Sequence, residues 1–327
     1  MLQGEKILVT GPAGQIAFPI CQFLAEHNEV WGAARFSQAG SRERVEAAGV
    51  ITHVMDLAQS EFQGLPDDFT YVLHLAAYLS TDQNYDRALT VNAEGTGALL
   101  YHCRKARGVL VMTTSGVYNP QPDPWHAFVE TEALGDTKSP TVPTYSISKI
   151  AQEAVARTCA RLFEVPLVIA RMGAAYGPNG GLPVHHLDLI VGREPITVRW
   201  DPYTHSPIHE YDIKNQIEAL LAAASVPATI VNWAGDEAVS VQEWCAYFGD
   251  LTGRTPQMNL IQVPGSSRGA ALDPTKRIGL TGPCNVDWRS GLRTALEARY
   301  PAGIGSDTEP LRGAARAQEE FERLPES

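Results

Sequence analysis

The stretch 6-KILVTGPAGQIAF-18 decides the fold of this chain. Its first five residues predict a buried strand, and a helical pattern over 14–27 follows a loop that contains two glycines. Gly11 can make the tight turn, and Gly14 lets the backbone come close to a pyrophosphate. The next helix would present its first N–H groups and its positive dipole end to that anion. This order of strand, glycine loop and helix predicts a dinucleotide-binding unit, whereas the glycine pattern alone would be weak evidence.

Beyond this stretch, short apolar runs alternate with helical patterns. The alternation predicts an α/β fold, a Rossmann-type doubly wound parallel sheet with a smaller C-terminal substrate-binding region. The alternation loosens in the Gly- and Pro-rich segment 173–183. We therefore predict a dinucleotide-binding domain over 1–172, a mainly substrate-binding region over 173–302 whose segments can cross back to the sheet, and a polar tail over 303–327. The predicted strands are 6–10, 29–36, 51–55, 71–77, 109–115, 166–171, 228–235 and 257–263, and the predicted helices are 14–27, 41–48, 83–106, 144–163, 212–224, 240–252 and 288–299.

The composition limits the possible partners. The formal net charge of −11 argues against non-specific nucleic-acid binding, which needs a basic surface. No apolar run approaches the roughly 20 residues that span a bilayer, and the N-terminus does not resemble a signal peptide. The five cysteines are scattered and form no CxxC pair, which favours a reducing compartment. We expect a cytoplasmic protein with a small-molecule substrate, and neither a nucleic acid nor a membrane as partner.

The end of the second predicted strand bears on the choice of dinucleotide. An acidic residue about 20 residues beyond the glycines would bind the ribose 2′-OH of NAD. Here the strand ends in 35-RFS-37, without Asp or Glu. The Arg35 guanidinium suits a 2′-phosphate, although a solvated surface arginine is the alternative. NADP is therefore favoured and NAD stays possible. Asp56, after the third strand, could accept a hydrogen bond from the adenine amino group or cap the next segment.

A second stretch, 143-PTYSISKIAQEAVART-158, raises a question of chemistry. Tyr145 and Lys149 lie four residues apart where a helix is predicted to begin, so they share one helix face. A free tyrosine has a pKa of about 10, which is too high for a base at neutral pH. A lysine ammonium one turn away, with the positive nicotinamide of an oxidised dinucleotide nearby, would favour the phenolate. On its own, this spacing would usually be a surface pair on an amphipathic helix.

Taken together, the motifs resemble the extended short-chain dehydrogenase/reductase family, in its NAD-dependent epimerase/dehydratase-like branch. The resemblance covers roughly residues 5 to 300. The matching segments are, in order, 10-TGPAGQIA-17, 74-HLAA-77, 91-VNAEGTGALL-100, 113-TTSGVYN-119, 145-YSISK-149, 171-RMGAAYGP-178 and 206-SPIHEYDI-213.

This resemblance implies roles for particular residues. It makes Tyr145 the acid–base and Lys149 the partner that tunes it and binds the nicotinamide ribose. Thr114 would hold the substrate oxygen, with Ser115 as its rival, although strand alternation points Ser115 the other way. Asn92 would have a mainly structural role. A homodimer through the helices at 83–106 and 144–163 is expected. The implied cofactor contacts are Gly11, Gly14, Gln15, Ile16, Arg35, Asp56, Leu57, Leu75, Ala76, Ala77, Tyr145 and Lys149.

Three departures from the nucleotide-sugar members narrow the expected function. Dehydratases have an Asp-Glu pair after the catalytic Thr, but Ser115 and Gly116 stand there in this chain. An asparagine that touches the diphosphate is replaced by Ala174, and a phosphate-binding arginine is replaced by His205. The chain therefore lacks two phosphate contacts and the carboxylates for dehydration.

An aromatic and apolar substrate pocket is expected instead. About half of the residues proposed to line it would be plain core residues. Such a pocket favours a small or hydrophobic carbonyl or alcohol, and so a hydride-transfer oxidoreductase. The alternative is a nucleotide-sugar epimerase with tightly bound NAD, and a more distant one is a non-catalytic dinucleotide-sensing protein. The candidate substrate-binding residues are Tyr78, Ser115, Trp125, Phe128, Leu182, Trp200 and Tyr203.

No metal site is expected from the histidines. His185 and His186 are adjacent, so their side chains point in different directions, and no third ligand is evident. His209 and Asp212 are expected to orient the second region and to cap a helix.

Overall fold

The computed structural model describes residues 2–139, 141–305 and 308–311. In chain order its elements are β1 (Lys6–Thr10), α1 (Ala17–Ala25), β2 (Glu29–Ala34), α2 (Ser41–Ala47), β3 (Ile51–Val54), β4 (Tyr71–His74), α3 (Tyr85–Leu89), α4 (Gly95–His102), β5 (Gly108–Thr114), α5 (Tyr145–Phe163), β6 (Leu167–Met172), β7 (Ala174–Gly177), β8 (Gly180–Gly181), α6 (Leu182–Gly192), β9 (Ile196–Val198), β10 (Thr204–His205), β11 (Pro207–His209), α7 (Glu210–Ala222), β12 (Thr229–Trp233), β13 (Val239–Ser240), α8 (Val241–Thr252), β14 (Met258–Leu260), β15 (Gly269–Ala270), α9 (Thr275–Thr281) and α10 (Trp288–Arg299).

Seven parallel strands form the central sheet, in the order β12-β6-β5-β4-β1-β2-β3. From β1 the chain builds outward to β3 on one side, and it then crosses to β4 on the other side. The point where this direction reverses lies between β1 and β4. In such a sheet, ligands bind beyond the carboxyl ends of the strands at this switch point. The predicted Rossmann-type sheet is confirmed.

Apolar clusters cover both faces of the sheet. On one face, Ile20 of α1 and Ile217 of α7 pack against strand residues such as Val9. On the other face, Leu99 of α4 and Ala156 of α5 pack with their own set of strand side chains. Because successive strand residues point to opposite faces, strands covered on both sides are apolar throughout.

The segment after β11 returns to the central sheet. Helix α7 packs on the face of α1, and β12 extends the sheet beyond β6. Both elements lie within 173–302, the range that the sequence assigned mainly to substrate binding. That prediction allowed segments of this range to cross back to the sheet. Most of the tail lies outside the described residues.

The second region is built around helices α6, α8 and α10. Helix α6 follows directly on the glycine-rich segment, and the sequence did not predict it. It is buried on nearly all sides, so it has no polar face to give a helical period. Its Asp188 carboxylate accepts hydrogen bonds of 2.6 Å from Arg299 and 2.7 Å from Tyr300, which tie α6 to the end of α10.

The helix predicted over 83–106 contains an irregular middle. Helices α3 and α4 are joined by a π-helical stretch, Thr90–Glu94, that contains Asn92. The Asn92 side chain accepts from the Tyr78 N–H at 2.7 Å and donates to the Ser148 hydroxyl at 2.9 Å. Asn92 therefore joins the loop after β4 to the start of α5, in keeping with the structural role expected of it.

Candidate active site

A cavity of about 520 Å³ lies beyond the carboxyl ends of β1, β2 and β4, at the switch point. All the predicted cofactor residues except Lys149 line this cavity. They are Gly11, Gly14, Gln15, Ile16, Arg35, Asp56, Leu57, Leu75, Ala76, Ala77 and Tyr145.

The glycine loop of this cavity fits a pyrophosphate. Gly11 has φ +69°, and a Cβ there would lie 3.1 Å from the Cα of Ala76. A Cβ on Gly14 would lie 3.1 Å from the Gly11 carbonyl oxygen. The backbone can therefore approach an anion at a point where a side chain would intrude, and α1 directs its N-terminus there. The Asn179 side chain donates to the Gln15 carbonyl at 2.8 Å and holds a second loop over the first.

Arg35 and Asp56 differ in their availability to a ligand. Arg35 is exposed, and it makes no hydrogen bond or ion pair with any of the described residues. The Asp56 carboxylate accepts the Ala58 N–H at 3.0 Å and lies 3.3 Å from the Arg87 guanidinium. Asp56 is therefore held in a turn, with its charge balanced by Arg87, while it also lines the cofactor cavity.

Lys149 lies beneath the site, with its side chain almost wholly buried. Its ammonium donates to the Met112 carbonyl at 3.1 Å and to the Gln152 side-chain oxygen at 2.8 Å. Burial lowers the pKa of Lys149 to about 7, although the nearby Glu153 carboxylate opposes this. Lys149 lines none of the three cavities around the site, whereas its Nζ is 5.7 Å from the centre of the Tyr145 ring.

Buried hydrogen bonds connect Lys149 to the strand that begins the cofactor loop. The Gln152 amide donates to the Thr96 hydroxyl at 2.9 Å, and Thr96 lies 2.8 Å from His74 Nε2. On the other side of its ring, His74 Nδ1 lies 2.8 Å from the hydroxyl of Thr10, the last residue of β1.

The proton positions in this series can be deduced. The Thr10 hydroxyl accepts the N–H groups of Leu75 and Ala76, so its own proton goes to His74 Nδ1. The Thr96 hydroxyl proton goes to the Asn92 carbonyl, so His74 Nε2 is the donor to Thr96. Burial lowers the pKa of His74 to about 3, with a smaller effect of the Lys149 charge, so the ring is neutral. The donors of the series therefore converge on the Thr96 hydroxyl, from Lys149 and Gln152 on one side and from Thr10 and His74 on the other.

Tyr145 lies where the cavities meet. It lines the 520 Å³ cavity, a second cavity of about 260 Å³, and a space of about 350 Å³ next to both. Burial raises the pKa of Tyr145 to about 12, and the Thr114 hydroxyl opposes this. Burial is the larger of these two effects, and the phenol is protonated at neutral pH.

Thr114 and Ser115 both reach this junction. Each lines the 260 Å³ cavity and the space beside it. Strand alternation had pointed Ser115 away, but β5 ends at Thr114 and a 3₁₀ turn begins at Ser115. The alternation therefore does not extend to Ser115, and it stays a rival of Thr114.

The 260 Å³ cavity is the candidate substrate site, and the structure brings only some of the predicted residues to it. Leu182, Tyr203 and Phe128 line it, together with Ser115. Tyr78 instead lines the cofactor cavity.

The two predicted tryptophans are not among the residues that line this cavity. Trp125 is 45% exposed on the surface. Trp200 donates its indole N–H to Ser266 at 3.0 Å and stacks under Arg268. An aromatic residue in a loop has no period that shows which way it faces, so the sequence could not separate these from Tyr203.

Three further residues of the site were not predicted to bind ligand. Gln152 holds Lys149, and Arg199 and His205 line the substrate cavity. Gln152 lies three residues after Lys149, so the helical period could have indicated the contact. Nothing local in the sequence indicates that Arg199 faces the same cavity as Tyr145.

The histidines of the second region have other contacts and roles. Within the described ranges, no group of three or more His, Cys, Asp or Glu side chains could hold a metal ion. His209 caps α7 by accepting the Tyr211 N–H, and Asp212 accepts the N–H groups of Asn285 and Val286. None of the described helices is both long enough and apolar enough to cross a membrane.

Comparison with known proteins identifies the family. The model of the NAD dependent epimerase/dehydratase family matches residues 7–195, more than half of the chain. The chain belongs to the NAD-dependent epimerase/dehydratase family. No curated protein sequence gives a significant match.

Solved structures with this fold include several epimerases. The UDP-glucuronic acid 4-epimerase of Bacillus cereus, in complex with UDP-glucuronic acid and NAD, has a TM-score of 0.78 and 23% identity, covering 91% of this chain and 99% of that one. The UDP-glucose 4-epimerase of Thermus thermophilus, in complex with NAD, has a TM-score of 0.77 and 23% identity over the same shares. The UDP-N-acetylglucosamine 4-epimerase of Methanobrevibacter ruminantium has a TM-score of 0.78 and 18% identity, covering 92% and 99%. At these identities the likeness shows the family fold, and it leaves the reaction open.

The burial of Lys149 predicts a pH dependence of stability. Its pKa is lowered to about 7, against about 10.4 for an unfolded lysine. Between these values the unfolded chain binds the proton and the folded protein does not, so stability rises with pH and is lost as pH falls toward 7. The free energy of unfolding of the wild type, relative to Lys149→Met, should rise by roughly 1–3 kcal/mol from about pH 7 to 9.

Urea unfolding at several pH values measures this difference. The control is Lys276→Met, which removes an exposed lysine and should give a flat difference. A flat difference for Lys149→Met as well would show that the ammonium is not held in a desolvated place.

Proposed function

We propose that this family member is an oxidoreductase that transfers a hydride between NADP(H) and a small carbonyl or alcohol substrate. The observation that carries the proposal is the position of Tyr145, which lines both the cofactor cavity and the candidate substrate cavity. In this proposal the nicotinamide of the bound dinucleotide supplies or receives the hydride. The chain's own residues bind the substrate oxygen and move its proton.

Tyr145 is proposed as the group that exchanges a proton with the substrate oxygen. Its raised pKa keeps the hydroxyl protonated at neutral pH, so it is ready to donate to a carbonyl oxygen. The Thr114 hydroxyl, which lines the candidate substrate cavity and the 350 Å³ space beside it, would hold that oxygen. Lys149 would tune Tyr145 from beneath the site, because its Nζ is held 5.7 Å from the centre of the Tyr145 ring.

The size and lining of the substrate cavity support a small substrate. At about 260 Å³, it lies below the range of roughly 300–1,000 Å³ that is usual for sites of drug-sized ligands. Ala174 and His205 stand where nucleotide-sugar enzymes have phosphate-binding side chains. Neither an Asp nor a Glu lines the cavity within the described part of the chain, so dehydration has no carboxylate acid or base.

Nucleotide-sugar epimerisation is the second candidate. It would use the same Tyr145, Thr114 and Lys149, and the fold that this chain shares with UDP-sugar 4-epimerases favours it. The missing phosphate contacts and the small cavity count against it.

NADP is proposed as the dinucleotide because of the residues that follow β2. Arg35, Phe36, Ser37 and Gln38 all line the cofactor cavity, and this segment has no carboxylate to accept the 2′-OH of NAD. The Arg35 guanidinium has no acidic partner within the described residues, so it is available to a 2′-phosphate.

Replacing Tyr145 tests the proposed chemistry. Tyr145→Phe should lower kcat by about 10²–10⁴-fold, because the proton donor is lost, and should leave the Kd for NADPH within about twofold. Turnover is measured on a panel of ketones and alcohols, and cofactor binding by NADPH fluorescence. The matched control is Tyr211→Phe, at an exposed tyrosine on α7, which should keep full activity. Wild-type turnover in Tyr145→Phe would rule out the proposed role.

Replacing Arg35 tests the cofactor preference. Arg35→Ser should weaken NADPH binding about tenfold or more, because the charge-assisted hydrogen bonds between the guanidinium and the 2′-phosphate are lost. NADH binding should stay nearly unchanged. Fluorescence titration of both dinucleotides gives the two Kd values. Arg42→Ser, which removes an exposed charge from α2, is the control. A wild type that prefers NADH, or equal NADPH affinity in Arg35→Ser, would contradict the NADP assignment.

A further inference from the structure

The candidate substrate cavity carries an unbalanced positive charge. Arg199 is the only lysine or arginine among the described residues that line it, and none of those lining residues is acidic. The rest of the polar lining consists mainly of hydroxyl groups, together with His186 and His205. A cation of this kind inside a ligand cavity favours an anionic ligand.

The partners of Arg199 leave its charge without a counter-ion. Its Nη2 donates to the Ser139 and Thr141 hydroxyls, both at 3.1 Å. These acceptors are neutral, and no carboxylate of the described residues is paired with Arg199. The two hydroxyls hold the guanidinium in place, while its Nε and Nη1 N–H groups have no hydrogen-bond acceptor among the described residues and can donate to a ligand oxygen.

His205 adds a polar group that lacks a partner in the protein. It is 8% exposed, and it lines both the substrate cavity and the space between that cavity and the cofactor loop. Its ring packs against the rings of Tyr203 and Trp244, with distances between ring centres of 4.6 Å and 5.6 Å. Its Nε2 is buried with no hydrogen-bond partner within the described chain. Because buried polar atoms are nearly always hydrogen-bonded, this atom fits a ligand contact.

We propose that Arg199 and His205 form a subsite for a carboxylate group, so that the substrate is a small hydroxy or oxo acid. This inference rests on the proposed function. In the tautomer that carries a proton on Nε2, His205 donates to the second carboxylate oxygen or to a neighbouring substrate oxygen.

A single charge on the ligand matches a single guanidinium. Burial, together with smaller effects of the neighbouring His186 and Arg199, lowers the pKa of His205 to about 3, so His205 adds no second positive charge. A phosphate monoester carries nearly two negative charges at neutral pH, and a nucleotide diphosphate also needs more volume than this cavity has. A carboxylate therefore fits better than either.

Equilibrium binding tests the subsite without turnover. The probes are lactate, 3-hydroxybutyrate and mandelate, each compared with its own amide, titrated by calorimetry into Tyr145→Phe saturated with NADP. At least one acid should bind about tenfold or more tightly than its amide, since hydrogen bonds to charged groups contribute that much. Arg199→Met should abolish this ratio, and Arg199→Lys should retain part of it. Arg293→Met, which removes an exposed arginine on α10, should leave the ratio unchanged.

Several outcomes would overturn the subsite. One is that no acid of the panel binds more tightly than its amide, and another is that Arg199→Met, shown to be folded by thermal unfolding, keeps the ratio. Tight binding of UDP-glucose that is lost in Arg199→Met would assign Arg199 to a diphosphate instead.

Failures of the two proposals differ. Preference for acids without turnover in the wild type contradicts only the proposed function, whereas turnover of neutral alcohols without that preference contradicts only the subsite.

Discussion

The burial of the Lys149 ammonium is the constraint on which the site depends. An amine that is 1% exposed is tolerated only where fixed acceptors replace water, and here they are the Met112 carbonyl and the Gln152 side chain. The first acceptor belongs to β5 and the second to α5, so the requirement fixes the start of α5 against the sheet. Gln152 is in turn hydrogen-bonded to Thr96, and Thr96 to His74. His74 is hydrogen-bonded to the last residue of β1, directly before the cofactor loop. The position of Tyr145, one turn before Lys149, follows from this framework.

From that position Tyr145 connects two cavities of different character. The cofactor cavity is shaped by glycine backbone and lies at the switch point of the sheet. The substrate cavity is closed by the second region, whose α6 contributes Leu182 and whose strands and adjoining loops contribute Arg199 and His205. The sheet therefore provides most of the cofactor cavity, and the second region provides much of the candidate substrate cavity beside Tyr145. Under the two proposals, Tyr145 exchanges a proton with a small hydroxy or oxo acid that Arg199 holds by its carboxylate.

The features predicted from the sequence are those with a local signal. The strands of the sheet, the glycine loop and the Tyr145–Lys149 pair depend on short spacings within one or two elements. Helix α6 was missed because burial on nearly all sides removes the helical period. The junction of β12 with β6 and the approach of Arg199 to Tyr145 depend on contacts between distant segments. The direction of the Tyr145 pKa was unexpected for the same reason, since burial is a property of the assembled fold.

The most direct test of the account is the nucleotide released when the purified protein is denatured, before and after extensive desalting. A reductase uses its dinucleotide as a cosubstrate, so the account predicts NADP before desalting and almost none after it. The exposed position of Arg35 at the mouth of the cavity is consistent with such exchange. NAD that survives desalting in near-equal ratio to the protein would contradict the account. It would mean that the hydride returns to the same substrate, as in an epimerase.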